Sequence, residues 1–346
     1  MLGDLRDPRK YTEPVSITGR DSKQLIAQLR VMHVIRAAEE KIADHVVAKD
    51  IVCPCHLGIG QEAVAVGVAS QLRKTDRTFG AHRSHTHYLS QGGSLYGLFA
   101  EVLGKLEGCS RGMGGSMHLY DGPNGFYGSV PIVAGTISLA VGAALAAFKD
   151  KKGDVGVSYF GDGAAEEGTL HESLNFAEVY KLPVLFVCEN NLFSSHLHID
   201  LRQPAEAVSR YAVAHRMPHE LVDGNDIVAV AKAAEKLLKR SRAGEGPGFL
   251  EAVTYRWRGH VGPSEDIDVG VARNTDLTAW KGRDPIRRLA DALVASGALT
   301  KSAYDELKAG VSAEIDREWK RAEEAPYPGP EATLDLVYSR KGRVSR

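Results

Sequence analysis

The stretch that decides the fold is DVGVSYFGDGAAEEGTLHESLNFAEVYKLPVLFVCENN, residues 154–191. It begins with an apolar run over 154–160 and closes with a second such run over 183–189, and each run predicts a buried strand. Residues 166–180 between them predict a helix. A strand, a helix and a second strand in this order form a βαβ unit, whose strands run parallel. We therefore expect an α/β fold with a central, mainly parallel sheet flanked by helices.

Each of these two strands ends in small polar residues. Asp162 follows the first strand between Gly161 and Gly163, and Asn191 follows the second. Ligands gather at the carboxyl ends of parallel strands, which lie only ~5 Å apart, so the oxygens of Asp162 and Asn191 should meet. Such oxygens suit Mg²⁺ or Ca²⁺, and Mg²⁺ leaves its other positions to phosphates and water. Either pattern alone is typical of a turn. Together they predict a metal–diphosphate site, where the glycines let the ligand approach the backbone.

The composition argues against two classes of partner. The chain has 346 residues, with 43 basic and 44 acidic side chains and a formal net charge of −1. A nucleic-acid-binding protein normally carries a basic excess or a basic stripe. No run reaches the ~18 apolar residues that a membrane span needs, and residues 1–14 lack the apolar core of a secretory signal. We expect a cytoplasmic protein that binds neither nucleic acid nor a membrane.

Shifts in composition divide the chain into three parts. Residues 1–20 are polar and irregular, which predicts an N-terminal arm. Apolar residues at helical spacing follow, and we expect the α/β domain over residues 21–266. From 267 to 346 the chain is polar and helical, which predicts a C-terminal region that packs on the domain or on a partner. The histidine-rich segment 82–93 and the glycine-rich segment 108–129 predict loops.

The stretch ISLAVGAALAAF, residues 137–148, predicts a helix of small and apolar residues. It carries no charge on any face, and a helix without a polar face is buried all round. This expected burial is consistent both with the core of the domain and with a subunit interface.

The segment from Gly161 to Asn191 resembles the thiamine diphosphate signature, which opens with Gly-Asp-Gly and closes with Asn-Asn. The chain from about residue 25 to about residue 325 is similar to the alpha subunit of the thiamine diphosphate-dependent first component of 2-oxo acid dehydrogenase complexes. These complexes include the pyruvate, branched-chain 2-oxo acid and acetoin types. Three further motifs carry the resemblance: CHLGIGQEA (55–63), GCSRGMGGSMHL (108–119) and YRWRGH (255–260). The resemblance implies the thiamine diphosphate-binding fold.

The resemblance also implies the cofactors, thiamine diphosphate and Mg²⁺, and the residues that bind them. The implied metal ligands are Asp162, Asn191 and the backbone carbonyl of Phe193. The implied cofactor-binding residues are Arg83 and His85 at the diphosphate, Gly125 and Tyr127 at the aminopyrimidine, and Gly161, Gly163 and Ala164 around the metal. The implied catalytic residues are His260, on a loop over the cofactor, and His56, at the substrate end. Histidine suits both places, because its pKa lies near neutrality.

Two histidine-rich segments depart from the family's pattern. In segment 82–87, His82 replaces the tyrosine that usually precedes the phosphate-binding arginine. In segment 194–198, after the Asn-Asn pair, the chain adds His196 and His198. These either touch the substrate or are solvated, and we expect the second.

The family's active site implies partners. A glutamate of the beta chain faces the cofactor's pyrimidine there, whereas Glu166, Glu167 and Glu189 of this chain belong to the diphosphate end. We therefore expect this chain to hold metal and diphosphate but not to decarboxylate by itself. The implied assembly is a tetramer of two alpha and two beta chains, which passes the acyl group to a lipoyl-bearing acyltransferase.

Three functions stay open at this point. The first is an oxidoreductase subunit of the pyruvate or acetoin type that is active only with a beta subunit. The second is the cofactor-binding half of a split transketolase-like enzyme acting on sugars. The third is a non-catalytic binding subunit, against which the intact Asp162, Asn191, Arg83 and His260 argue. A nicotinamide dehydrogenase is disfavoured, because no G-x-G-x-x-G opens a helix after a first strand.

Overall fold

The structure, a computed structural model, describes residues 1–267 and 273–332. Its strands are β1 (Arg77–Gly80), β2 (Phe126–Ser129), β3 (Gly156–Gly161), β4 (Val184–Asn190), β5 (Phe193–Ser194), β6 (Leu197–His198), β7 (His219–Asp223) and β8 (Gly248–Val253). Its helices are α1 (Ser22–Val47), α2 (Glu62–Ala69), α3 (His85–Ser90), α4 (Leu95–Val102), α5 (Ile137–Asp150), α6 (Gly168–Val179), α7 (Arg210–Ala214), α8 (Ile227–Arg242), α9 (Asn274–Lys281), α10 (Pro285–Ala295) and α11 (Lys301–Glu324). Within these residues, no helix has the length and apolar character to cross a membrane.

Six of the described strands form one parallel sheet in the order β2-β1-β3-β4-β8-β7. Strands β3 and β4 pair with Gly161 opposite Glu189. The predicted βαβ unit and the parallel α/β sheet are therefore confirmed. The other two strands, β5 and β6, form a small antiparallel hairpin just after Asn191.

The sheet is buried on both faces, as parallel sheets are. Helices α5 and α6 cover one face, where Phe160 and Phe186 point. Helices α2 and α8 cover the other face, where Tyr159 and Leu185 point. Because both faces are covered, β3 and β4 consist of near-continuous apolar runs that are easily recognised in the sequence.

The described part of the C-terminal region packs on the α/β domain. Helices α10 and α11 lie against α1, and Trp319 of α11 stacks on His45 of α1 with ring centroids 4.0 Å apart. Residues 268–272 and 333–346 of the predicted helical region lie outside the described residues. The proposed divisions after residues 20 and 266 stay predictions.

The N-terminal arm is held on the domain at several points. Leu2 is buried, and Arg283 donates a hydrogen bond to the carbonyl oxygen of Leu5 at 2.8 Å. The backbone N–H of Val15 donates to the carbonyl oxygen of Arg288 at 3.3 Å. The segment is irregular, as expected, apart from a 3₁₀ turn at Gly3–Arg6.

Three predictions of secondary structure are wrong in detail. The segment 82–93 is not all loop, because residues 85–90 form α3. The glycine-rich segment 108–129 ends in β2, which pairs with β1. The helix predicted from residue 166 begins at Gly168, because a 3₁₀ turn occupies Asp162–Glu166. In the first two cases contacts with distant parts of the chain outweigh the local histidine and glycine signals.

Helix α5 is not buried on all sides, which corrects the prediction from its composition. Ile137, Val141 and Ala144 face the sheet and are buried. Leu139, on the opposite side, is 53% exposed, and Phe148, near the C-terminal end of the helix, is 49% exposed. The helix thus carries two large apolar side chains that the described part of the chain leaves about half exposed.

Candidate active site

The candidate site lies at the carboxyl edge of the sheet, between β1 and β3. From β1 the chain continues to β2 on one side, and from β3 it continues to β4 on the other. Crevices at such switch points are where open α/β sheets bind ligands. A cavity of about 180 Å³ lies here, and its wall includes Arg83 after β1, Asp162 after β3 and Asn191 after β4. The structure thereby brings together residues from three separate motifs.

Asp162 is buried in the turn after β3. The guanidinium of Arg202 pairs with its Oδ2 and also with Glu166. Its Oδ1 has no hydrogen-bond partner among the described residues. Burial raises the pKa of Asp162, and the pairing with Arg202 opposes that rise. Because a buried oxygen without a donor costs free energy, Oδ1 indicates a site for a cation.

The two asparagines at the end of β4 have different roles. The Nδ2 of Asn190 donates to Oε1 of Glu251 at 2.7 Å, which ties β4 to β8. The Nδ2 of Asn191 donates to Oε1 of Gln61 at 3.1 Å, and the N–H of Phe193 donates to Oδ1 of Asn191 at 3.3 Å. Asn190 is therefore structural, while Asn191 and Phe193 lie on the cavity wall as candidate ligands.

The two glycines beside Asp162 have different reasons for lacking a side chain. A Cβ on Gly161 would meet nothing nearer than the carbonyl oxygen of Glu189 at 4.0 Å. A Cβ on Gly163 would lie 2.7 Å from the Cβ of Ser194 and still closer to its Oγ. Gly161 thus leaves room at the wall, whereas Gly163 lets the turn pack against β5. Ala164 follows on the same wall.

Arg83 supplies a buried positive charge to the wall. Its Nη1 donates to the carbonyl oxygen of Leu57 at 2.5 Å, and its Nη2 donates to the carbonyl oxygen of His260 at 3.4 Å. Desolvation lowers the pKa of Arg83 to about 10, so it stays cationic at neutral pH. Its remaining N–H groups can bind an anion such as a diphosphate.

His85 lies outside the cavity wall, whereas His87 lies on it. His85 is fully buried, with Nδ1 3.3 Å from Oε1 of Glu39, and its Nε2 shares a hydrogen bond with Ser116 at 2.8 Å. The Nε2 of His87 lies 3.3 Å from Oε2 of Glu189, which is also on the wall. A direct contact of His85 with a diphosphate stays a prediction.

The rings of His56, His82 and His260 cluster beside the cavity. Their centroids are 4.7 Å apart for His56 and His82, 5.0 Å for His56 and His260, and 5.5 Å for His82 and His260. Burial, followed by the charge of Arg83, lowers the pKa to about 3 for His56, about 2 for His82 and about 4 for His260. All three imidazoles are therefore neutral at pH 7. The two predicted catalytic histidines lie together, and His82 joins them.

Asp266 holds the loop that carries His260. Its Oδ2 accepts a hydrogen bond from the backbone N–H of His260 at 2.6 Å, and its Oδ1 accepts one from the hydroxyl of Ser264 at 3.0 Å. His196 lies 3.2 Å from the same Oδ2 with a side chain that is 48% exposed, and His198 is less exposed. Segment 194–198 therefore touches the His260 loop through His196.

The structure does not bring Gly125 and Tyr127 to this cavity. Gly125 precedes β2 at the amino edge of the sheet, where a Cβ would lie 2.7 Å from the carbonyl oxygen of Asp76. Its φ of +89° also favours glycine. Tyr127 is largely exposed and lies 6.1 Å from the ring of Phe79. Their contact with an aminopyrimidine stays a prediction.

Several residues on this wall or behind it were not predicted from the sequence. Gln61 orients Asn191, Arg202 pairs with Asp162, and Val133 adds an apolar side chain. Gln61 could have been found, because it lies inside the CHLGIGQEA motif. Arg202 gave no signal, because it is 40 residues from Asp162 and reaches it only through the fold of the intervening chain.

The chemistry of the wall fits a metal–diphosphate group. A carboxylate oxygen without a partner, a carboxamide oxygen and a backbone segment meet at Asp162, Asn191 and Phe193, and hard cations such as Mg²⁺ prefer oxygen ligands. Arg83 lies on the same wall as a cation for phosphate oxygens.

The chain is similar to known proteins in two comparisons, one with a family model and one with individual proteins. The family model described as "Dehydrogenase E1 component" matches residues 30–331. The alpha subunit of acetoin:2,6-dichlorophenolindophenol oxidoreductase from Bacillus subtilis (strain 168) is 37% identical over 306 residues, which are 88% of this chain and 90% of the relative. The protein of the same name from Cupriavidus necator is 35% identical over 92% of this chain and 95% of its own.

Alpha subunits of pyruvate dehydrogenase are similar to the same extent. The mitochondrial pyruvate dehydrogenase E1 component subunit alpha-1 of Oryza sativa subsp. japonica is 35% identical over 315 residues. That alignment covers 91% of this chain and 80% of the relative. The family model thus extends from within α1 to beyond the end of α11.

Proposed function

The chain belongs to the dehydrogenase E1 component family as an alpha subunit, and from that premise we propose that it acts on acetoin or on a 2-oxo acid such as pyruvate. Members of this family use thiamine diphosphate and work with a beta subunit. The proposed reaction is an oxidative cleavage or decarboxylation in which the acyl group passes to a lipoyl group.

The single observation that carries this proposal is the meeting of Asp162, Asn191 and Arg83 in one cavity. Asp162 has a buried oxygen with no hydrogen-bond partner among the residues that the structure describes, and Arg83 keeps N–H groups for an anion. We propose that Asp162, Asn191 and the carbonyl of Phe193 hold Mg²⁺, and that Arg83 binds the diphosphate. When bound, thiamine diphosphate would supply the nucleophilic carbon and the electron sink for the cleavage.

We propose that His260 and His56 handle protons at this site. Both rings are neutral at pH 7, because burial and the charge of Arg83 lower their pKa values to about 4 and about 3. A neutral imidazole can donate a hydrogen bond to a substrate oxygen and can accept a proton. Because the imidazolium form is disfavoured here, a proton taken up by either ring would be released readily.

The proposed partners follow from where the described part of this chain places its glutamates. Glu189 lies on the wall near His87, and Glu166 is paired with Arg202. We propose that the glutamate required at the pyrimidine comes from the beta chain, in a tetramer of two alpha and two beta chains. A lipoyl-bearing acyltransferase would accept the acyl group. Four free cysteines support the cytoplasm as the compartment, because reducing conditions keep thiols free.

The test is calorimetric titration of thiamine diphosphate with Mg²⁺ into this chain co-expressed with its beta subunit. Asp162→Ala should bind the cofactor more than tenfold more weakly, since an interaction with a charged group is worth about 1.5–3 kcal/mol. The matched control is Asp154→Ala, which removes an acid before β3 whose Oδ1 accepts a hydrogen bond from Thr75 at 2.6 Å. The control should bind as the wild type does.

The wild-type complex is then assayed with acetoin, pyruvate and branched-chain 2-oxo acids, using an artificial electron acceptor. Turnover on one of these substrates, together with weakened binding in Asp162→Ala alone, supports the proposal. Binding without turnover on any of them contradicts the substrate class and favours a sugar-directed enzyme. No metal-dependent binding contradicts the cofactor assignment.

A further inference from the structure

The proposed reaction uses the rings of His56 and His260, whereas the cluster also contains the ring of His82. We propose that these three histidines form a binding site for a borderline divalent transition metal ion, with Zn²⁺ as the representative ion. The site differs in chemistry from the Mg²⁺ position at Asp162, since it is built from imidazole nitrogens rather than oxygens. The proposed function assigns no metal to these histidines, so this site goes beyond it. Residues of this chain alone would form the site.

The geometry of the cluster is close to that of a three-histidine site. One ring nitrogen from each residue lies within 4.8 Å of the other two. Zinc–nitrogen bonds of about 2.0–2.1 Å at tetrahedral angles place neighbouring nitrogens ~3.4 Å apart, so each pair needs to close by at most ~1.4 Å. His56, His82 and His260 all lie outside the helices and strands, so side-chain rotation and small backbone shifts at these three positions can supply this closure.

Within the described residues, no hydrogen bond occupies a ring nitrogen of the cluster. His56 is 8% exposed, and its Nδ1 is buried without a hydrogen-bond partner. The hydrogen bonds of His260 run through its backbone N–H and carbonyl, and the ring of His82 contacts the other two rings. By contrast, His85 is hydrogen-bonded to Ser116. A metal bound through Nδ1 of His56 would satisfy a nitrogen that is otherwise buried at a cost.

The charges around the cluster determine which ligand would occupy the fourth position of the metal. The neutral imidazoles are the form that coordinates a metal, so no proton has to be displaced. Arg83 and Arg256 lie nearby and repel a dication, while Asp266 and Glu189 partly offset them. A three-histidine zinc site keeps a fourth position open. Beside two guanidinium groups, that position would take an anion such as hydroxide or a carboxylate.

The consequence for the protein is an inhibitory metal site. A metal on His56 and His260 would occupy the nitrogens that we propose to handle protons. His82 makes the site possible, because it provides the third ligand at a position where the family usually has a tyrosine.

The test uses Co²⁺ as a spectroscopic probe on the full-length, tag-free chain co-purified with its beta subunit and stripped of metal. We expect visible d–d absorption that saturates at one Co²⁺ per alpha chain and is abolished by stoichiometric Zn²⁺. His82→Phe keeps the ring volume but removes the nitrogens. Loss of an outer-shell partner typically weakens metal binding about 10–100-fold, so loss of a ligand should weaken it at least tenfold.

The matched control is His171→Gln, which removes a histidine outside the cluster whose ring lies 6.2 Å from that of His215. It should leave the Co²⁺ spectrum unchanged. His260→Gln is the second variant and should lose the absorption as His82→Phe does, with circular dichroism confirming that each variant is folded. No absorption at one equivalent, or equal affinity in wild type and both cluster variants, overturns the proposal. Because the measurement needs neither cofactor nor substrate, its failure is distinct from failure of the proposed function.

Discussion

At the scale of single residues, burial decides the charge state of the site. It raises the pKa of Asp162 and lowers the pKa of His260, so in both cases it favours the neutral form. Arg202 opposes this effect at Asp162 by pairing with the carboxylate, whereas Arg83 strengthens it at His260 by repelling the imidazolium. The site therefore combines an acid that needs a cation with bases that stay unprotonated.

Replacing Arg202 by methionine should destabilise the fold by about 3 kcal/mol at pH 7.5, because it leaves the buried carboxylate of Asp162 unpaired. The loss should shrink as the pH falls. The folded-state pKa of Asp162 is raised and would rise further without Arg202, so the cost is full above that pKa. This cost decreases as the pH falls towards the unfolded pKa of about 3.9. It is absent below that pH, where the acid is protonated in both the folded and the unfolded state. Urea unfolding at pH 7.5 and pH 5 measures it.

Arg202→Lys is the control, since it keeps a cation beside Asp162, and it should recover most of the stability. A methionine variant that is as stable as the wild type at pH 7.5 would contradict the prediction. A loss of stability that becomes larger as the pH falls would also contradict the prediction.

At the scale of elements, the turn between β3 and α6 contains two glycines, on either side of Asp162, that are needed for different reasons. Gly161 ends the strand in an extended conformation, with φ −87° and ψ 168°, which any residue can adopt. Gly163 meets Ser194 of β5 at a distance that leaves no room for a side chain. The first glycine therefore serves the cavity, and the second serves the packing of the β5–β6 hairpin.

Substituting the two glycines by alanine should separate stability from binding. Gly163→Ala should cost about 1–3 kcal/mol of folding free energy, because its Cβ would force Ser194 to move. Gly161→Ala should fold as stably as the wild type or slightly more stably, because alanine lowers the entropy of the unfolded chain. Its methyl group would nevertheless occupy the wall and weaken thiamine diphosphate binding.

Urea unfolding and calorimetric titration of the two variants check this prediction, and each variant serves as the control for the other. Destabilisation by Gly161→Ala together with a stable Gly163→Ala would contradict it. Unchanged cofactor affinity in Gly161→Ala would show that this wall does not border the cofactor.

At the scale of the whole molecule, the surface of α5 is the feature that this chain alone does not complete. Leu139 and Phe148 are about half exposed on a helix whose charged residues, Lys149 and Asp150, are confined to its last two positions. Exposed apolar surface of this kind marks a contact with another protein. It supports the proposed assembly with a beta subunit.

Leu139→Asp should weaken assembly more than tenfold, because a charge would be buried without a partner at the interface. The fold itself should change by less than about 0.5 kcal/mol, because the side chain is half exposed in this chain. Light scattering after gel filtration of the co-expressed chains measures the mass. Val294→Asp on α10 is the control, and its assembly should match the wild type. A full-sized assembly with Leu139→Asp would contradict the interface.

Local patterns predicted the βαβ unit but not all of the sheet. β3 and β4 are recognisable because both of their faces are buried, which leaves long apolar runs. β1 is only four residues long and includes Arg77 and Thr78, so its sequence carries no strand signal, although the phosphate-binding candidate Arg83 follows it. The same limit explains α3, whose histidines were expected in a loop but are buried by distant chain segments.

Local patterns are enough to predict the order of strand, helix and strand and to put a carboxylate and a carboxamide at the two strand ends, because period and strand polarity are local properties. The sequence also identified the family, since the motifs are contiguous. Only the tertiary structure decided that β1 lies beside β3, and so that Arg83 shares a cavity with Asp162. It also separated Asn190 from Asn191 and gathered His56, His82 and His260. These arrangements depend on which distant strands pair and on what buries each side chain, and no local pattern of residues encodes either.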